Sequence, residues 1–166
     1  MREPLKDKSR LEHILGAIDT ILARANGLTY EGLTSDKILF GGIVYYTMII
    51  GEAAYHLSMP FKKKYNETNW TQITKMRHNL VHGYYQVDPD VVWSVIQDDL
   101  VPLRDQVIRY ITETDWEEWE KSYKVVTETA VHKNLIQTAS RMKKDGMDTK
   151  QISRYTGLTA EEIEEI

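Results

Sequence analysis

The stretch ILFGGIVYYTMIIG, residues 38–51, contains fourteen residues without a charge. Glu52 and His56 interrupt the apolar pattern before it reaches the ~20 residues that a membrane-spanning helix needs, so the stretch predicts a buried core helix and no membrane association. Apolar side chains occupy nearly every side of this helix. We therefore expect neighbouring helices and a partner subunit to cover it together, which is a first indication of a dimer.

Helical spacing of apolar residues continues on both sides of this stretch, with no strand pattern and no internal repeat. The predicted helices are marked by their boundary residues: Asn26-Gly27 ends the first, Thr34 or Ser35 caps the second, Pro60 ends the second, Thr68 or Asn69 opens the third, and Asp88-Pro89 opens the fourth. The fourth helix continues through Pro102, which is expected to kink it. Helices with links this short predict an all-α, antiparallel up-and-down bundle of four or five helices.

The last third of the chain differs in charge. Residues 1–111 carry 13 Lys and Arg against 13 Asp and Glu, whereas residues 112–166 carry 8 against 12. A long polar helix runs from Thr114 toward Gly146, and two short helices flank the turn at 156–158 in a helix-turn-helix-like arrangement. We predict a bundle domain at 1–111 and an acidic helical extension at 112–166. DNA binding is unlikely, because the last short helix carries four glutamates and no cation.

Composition excludes several classes of function. The chain has 166 residues, of which 42% are hydrophobic and none is Cys. The lack of Cys therefore excludes a disulfide framework, a Cys-ligated metal and a thiol nucleophile. The opening MREPLKDKSR lacks the apolar stretch of a signal peptide. We expect a cytoplasmic protein.

Side chains that could take part in catalysis or binding are concentrated in MRHNLVHGYY, residues 76–85. At ~100° per residue, Arg77 and Tyr84 share one helix face and His78 and His82 share another, while Arg77 and His82 lie ~140° apart. Arg77 and His82 converge only if Gly83 breaks the helix, or if symmetry places two copies of the segment around one cleft.

An arginine and a histidine without a cluster of carboxylates suit RNA transesterification. The imidazole of His82 would take the proton of the 2′-hydroxyl, and Arg77 would stabilise the charge on the non-bridging phosphate oxygens. No metal or cofactor is needed, the product is a 2′,3′-cyclic phosphate, and DNA lacks the attacking hydroxyl.

The same residues and their neighbours also allow interpretations other than catalysis. Arg77 and His82 could make only structural contacts, and His78 and His82 could form a metal site with Glu52 as a third ligand. Glu52 is a lone acid on an apolar helix, which predicts that it pairs with a core cation or orients Arg77 or His82. The cations Lys62, Lys63 and Lys64 form either a solvated run or a site for flanking RNA phosphates.

These residues resemble a known family. RHNLVHGY, residues 77–84, is similar to the R-x4-H-x-Y motif of HepT-type toxins of the HEPN superfamily. The same order of features holds around it: RLEHILGAIDTI from Arg10, GEAA from Gly51, W-x-x-I-x-x-M-R from Trp70 and V-D-x-x-x-V-W from Val87. The resemblance covers roughly residues 6–111 and leaves the acidic extension outside.

The resemblance implies an all-α HEPN bundle and a homodimer whose two motifs line a shared cleft. It implies a metal-independent endoribonuclease toxin in which Arg77 and His82 are catalytic, with His78, Asn79 and Glu52 as supporting residues. It also implies a small, MntA-like nucleotidyltransferase antitoxin that transfers AMP to the motif tyrosine, here Tyr84. A second interpretation is a non-catalytic HEPN dimer that binds a nucleotidyltransferase or a nucleotide.

Overall fold

The computed structural model describes residues 6–166, apart from the side chains of Tyr84 and Thr127. The described chain is all-α and has no strand, which confirms the predicted fold class. Its α-helices are α1 (Asp7–Ala25), α2 (Tyr30–Ser35), α3 (Lys37–His56), α4 (Met59–Lys64), α5 (Trp70–His82), α6 (Pro89–Ser94), α7 (Leu100–Glu113), α8 (Trp116–Lys144), α9 (Thr149–Thr156) and α10 (Ala160–Glu164). The chain forms two compact units, Met1–Trp116 and Glu117–Ile166.

The first unit is a helical bundle in which α3 packs against both α1 and α5, and α7 packs against α1. Apolar stripes at helical spacing form its core, which includes Leu11, Ile14, Ile18, Ile21, Ile50, Ala54, Leu100 and Val107. The buried carboxylate of Asp7 ties the start of α1 to the end of α3, because it accepts hydrogen bonds from the backbone N–H and the hydroxyl of Ser58 at 2.8 and 2.6 Å.

Most predicted helix ends agree with the structure. Gly27 follows α1 in the left-handed region with φ of 73°, Asn69 caps α5, and Asp88 caps α6 with Pro89 at its first position. The predicted cap of α3 is wrong. Thr34 and Ser35 lie in the short helix α2. The carboxylate of Asp36 instead caps α3, because it accepts hydrogen bonds from the first backbone N–H groups of that helix.

The helix after Asp88 changes its winding before Pro102. Residues Val95–Asp99 form a π-helical turn between α6 and α7, and the N–H of Leu100 donates to the carbonyl of Val95 five residues back. A proline ring clashes with the carbonyl four residues earlier, here that of Asp98, and a wider turn relieves that clash. The expected irregularity is therefore present, and it is a π turn.

Helix α3 is only partly covered within one chain. Its buried face includes Ile43, Ile50 and Ala54, whereas Ile38 is 87% exposed and Tyr45 is 59% exposed. By length and composition alone α3 could cross a membrane, with 33% of its most apolar window buried. A single helix of this kind is weak evidence for a span, because core helices of soluble proteins pass the same test.

The second unit has a small core of its own. The end of α8 packs with α9 and α10 through four buried residues, Ala139, Ile152, Leu158 and Ile163. Capping boxes at Asp148 and Thr159 begin the two short helices, and Gly157 between them has φ of 73°. These are the two short helices expected from the sequence.

Candidate active site

Helices α3 and α5 approach each other closely at Gly51. A Cβ atom at this position would lie 2.3 Å from the Cβ and 3.2 Å from the Cα of Arg77. Only glycine allows this approach, because real Cβ atoms do not come within 3 Å of such neighbours. The crossing of α3 and α5 at this point brings Arg77 beside the next residue of α3, Glu52.

Glu52 contacts two basic side chains that come from different helices. Its Oε2 lies 2.6 Å from Nε of Arg77, and its Oε1 lies 3.0 Å from Nε2 of His56 one turn later on α3. Oε2 is shielded from solvent and accepts no well-directed hydrogen bond among the described residues, so charge attraction dominates its contact with Arg77. The predicted pairing of Glu52 with a core cation is present, and the cation is Arg77.

The ion pair leaves Arg77 suited to a second partner. The contact with Glu52 uses Nε, whereas a guanidinium also carries two terminal amino groups that can bind a phosphate in a bidentate manner. The side chain is 31% exposed. Glu52 therefore orients a cation that still reaches solvent.

His78 and His82 lie one turn apart at the carboxyl end of α5. Their rings are 4.4 Å apart between centroids, and both residues are exposed. Helix α5 is continuous through His82 and ends at Gly83, so no break swings His82 toward Arg77 within one chain. Of the two routes to convergence, the one that needs a broken helix is not realised.

The residues of the alternative metal site, His78, His82 and Glu52, do not form a ligand cluster. Glu52 contacts Arg77 and His56, at 2.6 and 3.0 Å. Over residues 6–166, no group of three or more His, Asp and Glu side chains is placed to hold a metal ion. The geometry thus gives no support to the alternative with His78, His82 and Glu52 as ligands.

A tight turn follows His82. The N–H of Gly83 donates to the carbonyl of Asn79 at 2.8 Å, and a Cβ at Gly83 would lie 2.8 Å from that same oxygen. Residues Tyr84–Gln86 then form a short 3-10 helix. The side chain of Tyr84, the predicted modification site, lies outside the described residues, and only its backbone position next to this turn is given.

Two open grooves meet at the exposed face of α5. One, of about 670 Å³, is lined by His78, Asn79 and His82 together with residues after the turn. The other, of about 1000 Å³, is lined by Lys62, Lys63 and His78. Lys75 lines both grooves and connects them.

The three predicted RNA-binding lysines therefore separate into two groups. Lys62 and Lys63 line the same groove as His78, whereas the ammonium of Lys64 lies 5.1 Å from the ring centroid of Tyr65 and does not line it. Lys75 is a cation of this region that the sequence reasoning missed.

His56 was missed as well. It lies four residues after Glu52, at the spacing that brings two side chains of a helix together, so the sequence held a signal for this contact. For Lys75 the sequence holds no comparable signal, because its role depends on which grooves α5 borders in the folded chain.

Comparisons with known proteins identify a family for this chain. The family model described as "Ribonuclease HepT-like" matches residues 14–111. A protein of Thermococcus cleftensis named "Probable ribonuclease HepT" is 31% identical over 97 residues, which cover 58% of this chain and 88% of that protein. A protein of Caldanaerobacter subterraneus subsp. tengcongensis, named as a candidate RNase, is 33% identical over 97 residues, with 58% and 87% covered.

A longer relative contains the same region. A protein of Methanocaldococcus jannaschii, named as a gamma-glutamylcyclotransferase and candidate RNase, is 32% identical over 108 residues, or 65% of this chain. The matched region spans about half of that relative, 49% of its length. No solved structure matches the chain significantly. The match to the family model ends at residue 111, so the last third of the chain lies outside it.

Proposed function

The chain belongs to the HepT-like ribonuclease family, an RNA-cleaving family, and from this we propose that it is a metal-independent endoribonuclease toxin. One observation supports the proposal most directly. Arg77 is fixed by Glu52 at 2.6 Å, while two exposed imidazoles lie at the end of the same helix beside a groove that contains lysines. This combination binds a phosphodiester and moves protons without a metal.

The proposed reaction is an intramolecular transesterification. The imidazole of His82 accepts the proton of the 2′-hydroxyl, O2′ attacks the adjacent phosphorus, and the bond to the 5′-oxygen breaks. Arg77 stabilises the charge on the non-bridging oxygens. The leaving 5′-oxygen takes a proton from the imidazolium or from water, which gives a 2′,3′-cyclic phosphate and a 5′-hydroxyl.

We propose that the active site is shared by two chains. Arg77 and His82 diverge by ~140° on the unbroken helix α5, so a second copy is the simplest source of a complementary residue. The exposed apolar residues of α3, Ile38 and Tyr45 among them, supply a surface that a second copy would cover. A twofold symmetric dimer would then hold two equivalent sites.

RNA would run along the groove that Lys62, Lys63 and Lys75 line. These cations lie on the approach to His78, and phosphate contacts of this kind give affinity without sequence preference. His78 and Asn79, which line the His82 groove, would support substrate placement.

The proposed RNA-cleaving activity would be controlled by modification of Tyr84, directly after Gly83. We propose that a small nucleotidyltransferase antitoxin transfers AMP from ATP to the hydroxyl oxygen of Tyr84 in the cytoplasm, with diphosphate as the leaving group and loss of the phenol proton. The added nucleotide brings bulk and negative charge beside the catalytic residues, and both features would exclude RNA phosphates.

The primary test incubates the purified full-length protein with total RNA in excess EDTA and analyses the new RNA ends. We expect cleavage with 2′,3′-cyclic phosphate and 5′-hydroxyl ends, and no cleavage of DNA of the same sequence. Intact mass measurement of the same sample shows whether the protein carries AMP. An unmodified protein that leaves RNA intact, yet copurifies with a nucleotidyltransferase, would instead support the non-catalytic binding module.

Substitution of Gly83 by alanine is expected to lower RNA cleavage at least ~10-fold while the bundle stays folded. The new methyl group would meet the carbonyl of Asn79 at 2.8 Å, so the turn must shift and carry His82 with it. Displacements of about 1 Å can cost ~100-fold in rate.

The measurement is kcat/KM on a defined RNA together with thermal unfolding. Gly146→Ala is unsuitable as a comparison because Gly146 has φ of 85°, whereas Gly16→Ala on α1 introduces the same methyl group with no atom within 4 Å. Unchanged kcat/KM in Gly83→Ala would show that the turn does not position His82.

A further inference from the structure

A smaller cavity adjoins the His82 groove. It has a volume of about 210 Å³ and lies between α3, α5 and the start of α7, at the π turn of residues 95–99. Thr47, Gln72, Met76 and Val95 line both the cavity and the His82 groove, so the two spaces are neighbours. Pockets that hold whole drug-sized ligands measure ~300–1,000 Å³, so this cavity fits a single ring system.

The lining of the cavity excludes phosphate as its occupant. Its walls contain Ile50, Ile73 and Leu103, and its polar rim contains Asp98 and Asp99. Within the described part of the chain, none of its lining residues is Lys, Arg or His. An anion would be repelled here, whereas a flat uncharged ring with hydrogen-bond donors would meet apolar walls and carboxylate acceptors.

Burial also affects one of these carboxylates. Partial desolvation, together with the neighbouring charge of Asp98, raises the pKa of Asp99 above its ordinary value. A carboxylate in this situation gains from any ligand that donates hydrogen bonds to it, because those bonds replace the lost water.

A chain of buried hydroxyl groups holds one amide that lines the cavity. Thr68, which is 5% exposed, donates to Oε1 of Gln106 at 2.8 Å, and the hydroxyl of Tyr110 lies 2.6 Å from Oγ1 of Thr68. Because the hydroxyl of Thr68 donates to Gln106, the hydroxyl of Tyr110 is the donor in its contact with Thr68. Because the side-chain oxygen of Gln106 accepts the hydrogen bond from Thr68, the side-chain amino group is the part of Gln106 that can donate to a ligand.

A second amide is held in the same way. Asn69, the cap of α5, donates from Nδ2 to Oε1 of Gln72 at 3.2 Å and accepts from the backbone N–H of Gln72 at 3.0 Å. The amino group of Gln72 is therefore the free end of this side chain for a ligand in the cavity. The cavity thus combines oriented amide donors with carboxylate acceptors.

We propose that this cavity is a nucleobase subsite that prefers guanine, and that it receives a base next to the scissile phosphate. Guanine combines an acceptor at O6 with donors at N1 and N2, which matches an amide donor beside a carboxylate acceptor. Uracil has no amino group, and cytosine offers one donor at N4 but no adjacent N–H.

The inference rests on the proposed ribonuclease function for its biological role, so the first test does not depend on cleavage. Guanosine, which has no phosphate, is titrated into the full-length protein and compared with cytidine and uridine by calorimetry or NMR. We expect guanosine to bind about tenfold more tightly or better, as a good bidentate contact provides. His82→Ala is expected to bind guanosine as the parent protein does.

Two variants locate the site. Asp99→Asn and Gln106→Leu are expected to abolish the preference for guanosine, whereas Asp105→Asn, on the same helix but outside the cavity, is expected to retain it. Equal binding of the three nucleosides, or a guanosine preference that survives both variants, would overturn the proposal.

The second test maps cleavage positions on a mixed-sequence RNA. The parent protein is expected to enrich guanine at one position beside the cut, and Asp99→Asn is expected to lose that enrichment while still cleaving. Guanosine binding without any RNA cleavage would refute the proposed ribonuclease function and leave the subsite standing. Cleavage without base preference, in a protein that does not bind guanosine, would refute the subsite alone.

Discussion

Replacement of His82 by alanine is expected to lower RNA cleavage by ~100- to 10,000-fold, the range that a positioned general acid or base contributes. Replacement of Arg77 by alanine is expected to cost ~100- to 1,000-fold, because the charge that develops on the phosphate loses its stabilising donor. Both losses are expected mainly in kcat. Single-turnover cleavage of a defined RNA in EDTA measures them.

The chain provides matched controls for both variants. His13 is an exposed histidine on α1 that lines neither groove, so His13→Ala removes an imidazole elsewhere. Arg104 makes an ion pair with Asp19 at 2.6 Å, the same distance as Arg77 to Glu52, and it also joins two helices. Arg104→Ala therefore matches the structural loss of Arg77→Ala. If Arg77→Ala and Arg104→Ala lose the same activity, the result would show that Arg77 has only a structural role.

Mixing the two inactive variants tests whether the site is shared. If Arg77 of one chain acts with His82 of the other, a dimer of one Arg77→Ala chain and one His82→Ala chain retains one intact site. Random exchange then restores about a quarter of the parent activity, since half of the dimers are mixed and each has one of two sites. If each chain uses its own pair, mixing restores nothing.

The second large effect is expected at Gly51. Alanine there would place a methyl carbon 2.3 Å from the Cβ of Arg77, so α3 and α5 must separate. Overpacking of this kind costs ~1–3 kcal/mol or more in the free energy of unfolding, and each kcal/mol lowers Tm by roughly 4–8 °C in a domain of this size. Cleavage is expected to fall as well, because the separation moves Arg77 away from Glu52.

Gly16→Ala is the matched control for this prediction. Gly16 lies inside α1, and a Cβ there has no atom within 4 Å. Alanine at an open helical position stabilises by ~0.5–1 kcal/mol, so Tm should rise slightly in this variant and fall in Gly51→Ala. Thermal unfolding followed by circular dichroism measures both. An unchanged Tm in Gly51→Ala would contradict the close crossing of α3 and α5.

Local sequence patterns predicted the parts of the fold that depend on local forces. The stop at Gly27, the Asp88-Pro89 start and the paired helices around Gly157 follow from backbone preferences that neighbouring residues determine. The cap at Asp36 was missed because Thr34 and Ser35 are equally good caps by type. Choosing among them requires knowing that α2 already contains both.

The candidate site was predictable in its residues but not in its contacts. Arg77, His82 and Glu52 stand out by chemistry and by motif, and the contact between Glu52 and Arg77 depends on the Gly51 crossing, which joins segments 26 residues apart in sequence. The cavity at the π turn was also not predicted, because residues from three helices line it. Such contacts between distant segments leave no periodic signal in the sequence.

If the chain is the toxin proposed above and two copies pair through the exposed apolar face of α3, its toxicity would depend steeply on gene dosage. If catalysis requires two chains, then below the dissociation constant of the dimer the number of active sites rises with the square of the chain concentration. A cell that leaks a few copies of the protein would contain mostly separate, inactive chains. Cleavage of cellular RNA would then begin only above a threshold of expression. Below that threshold little RNA would be cleaved, even before an antitoxin acts.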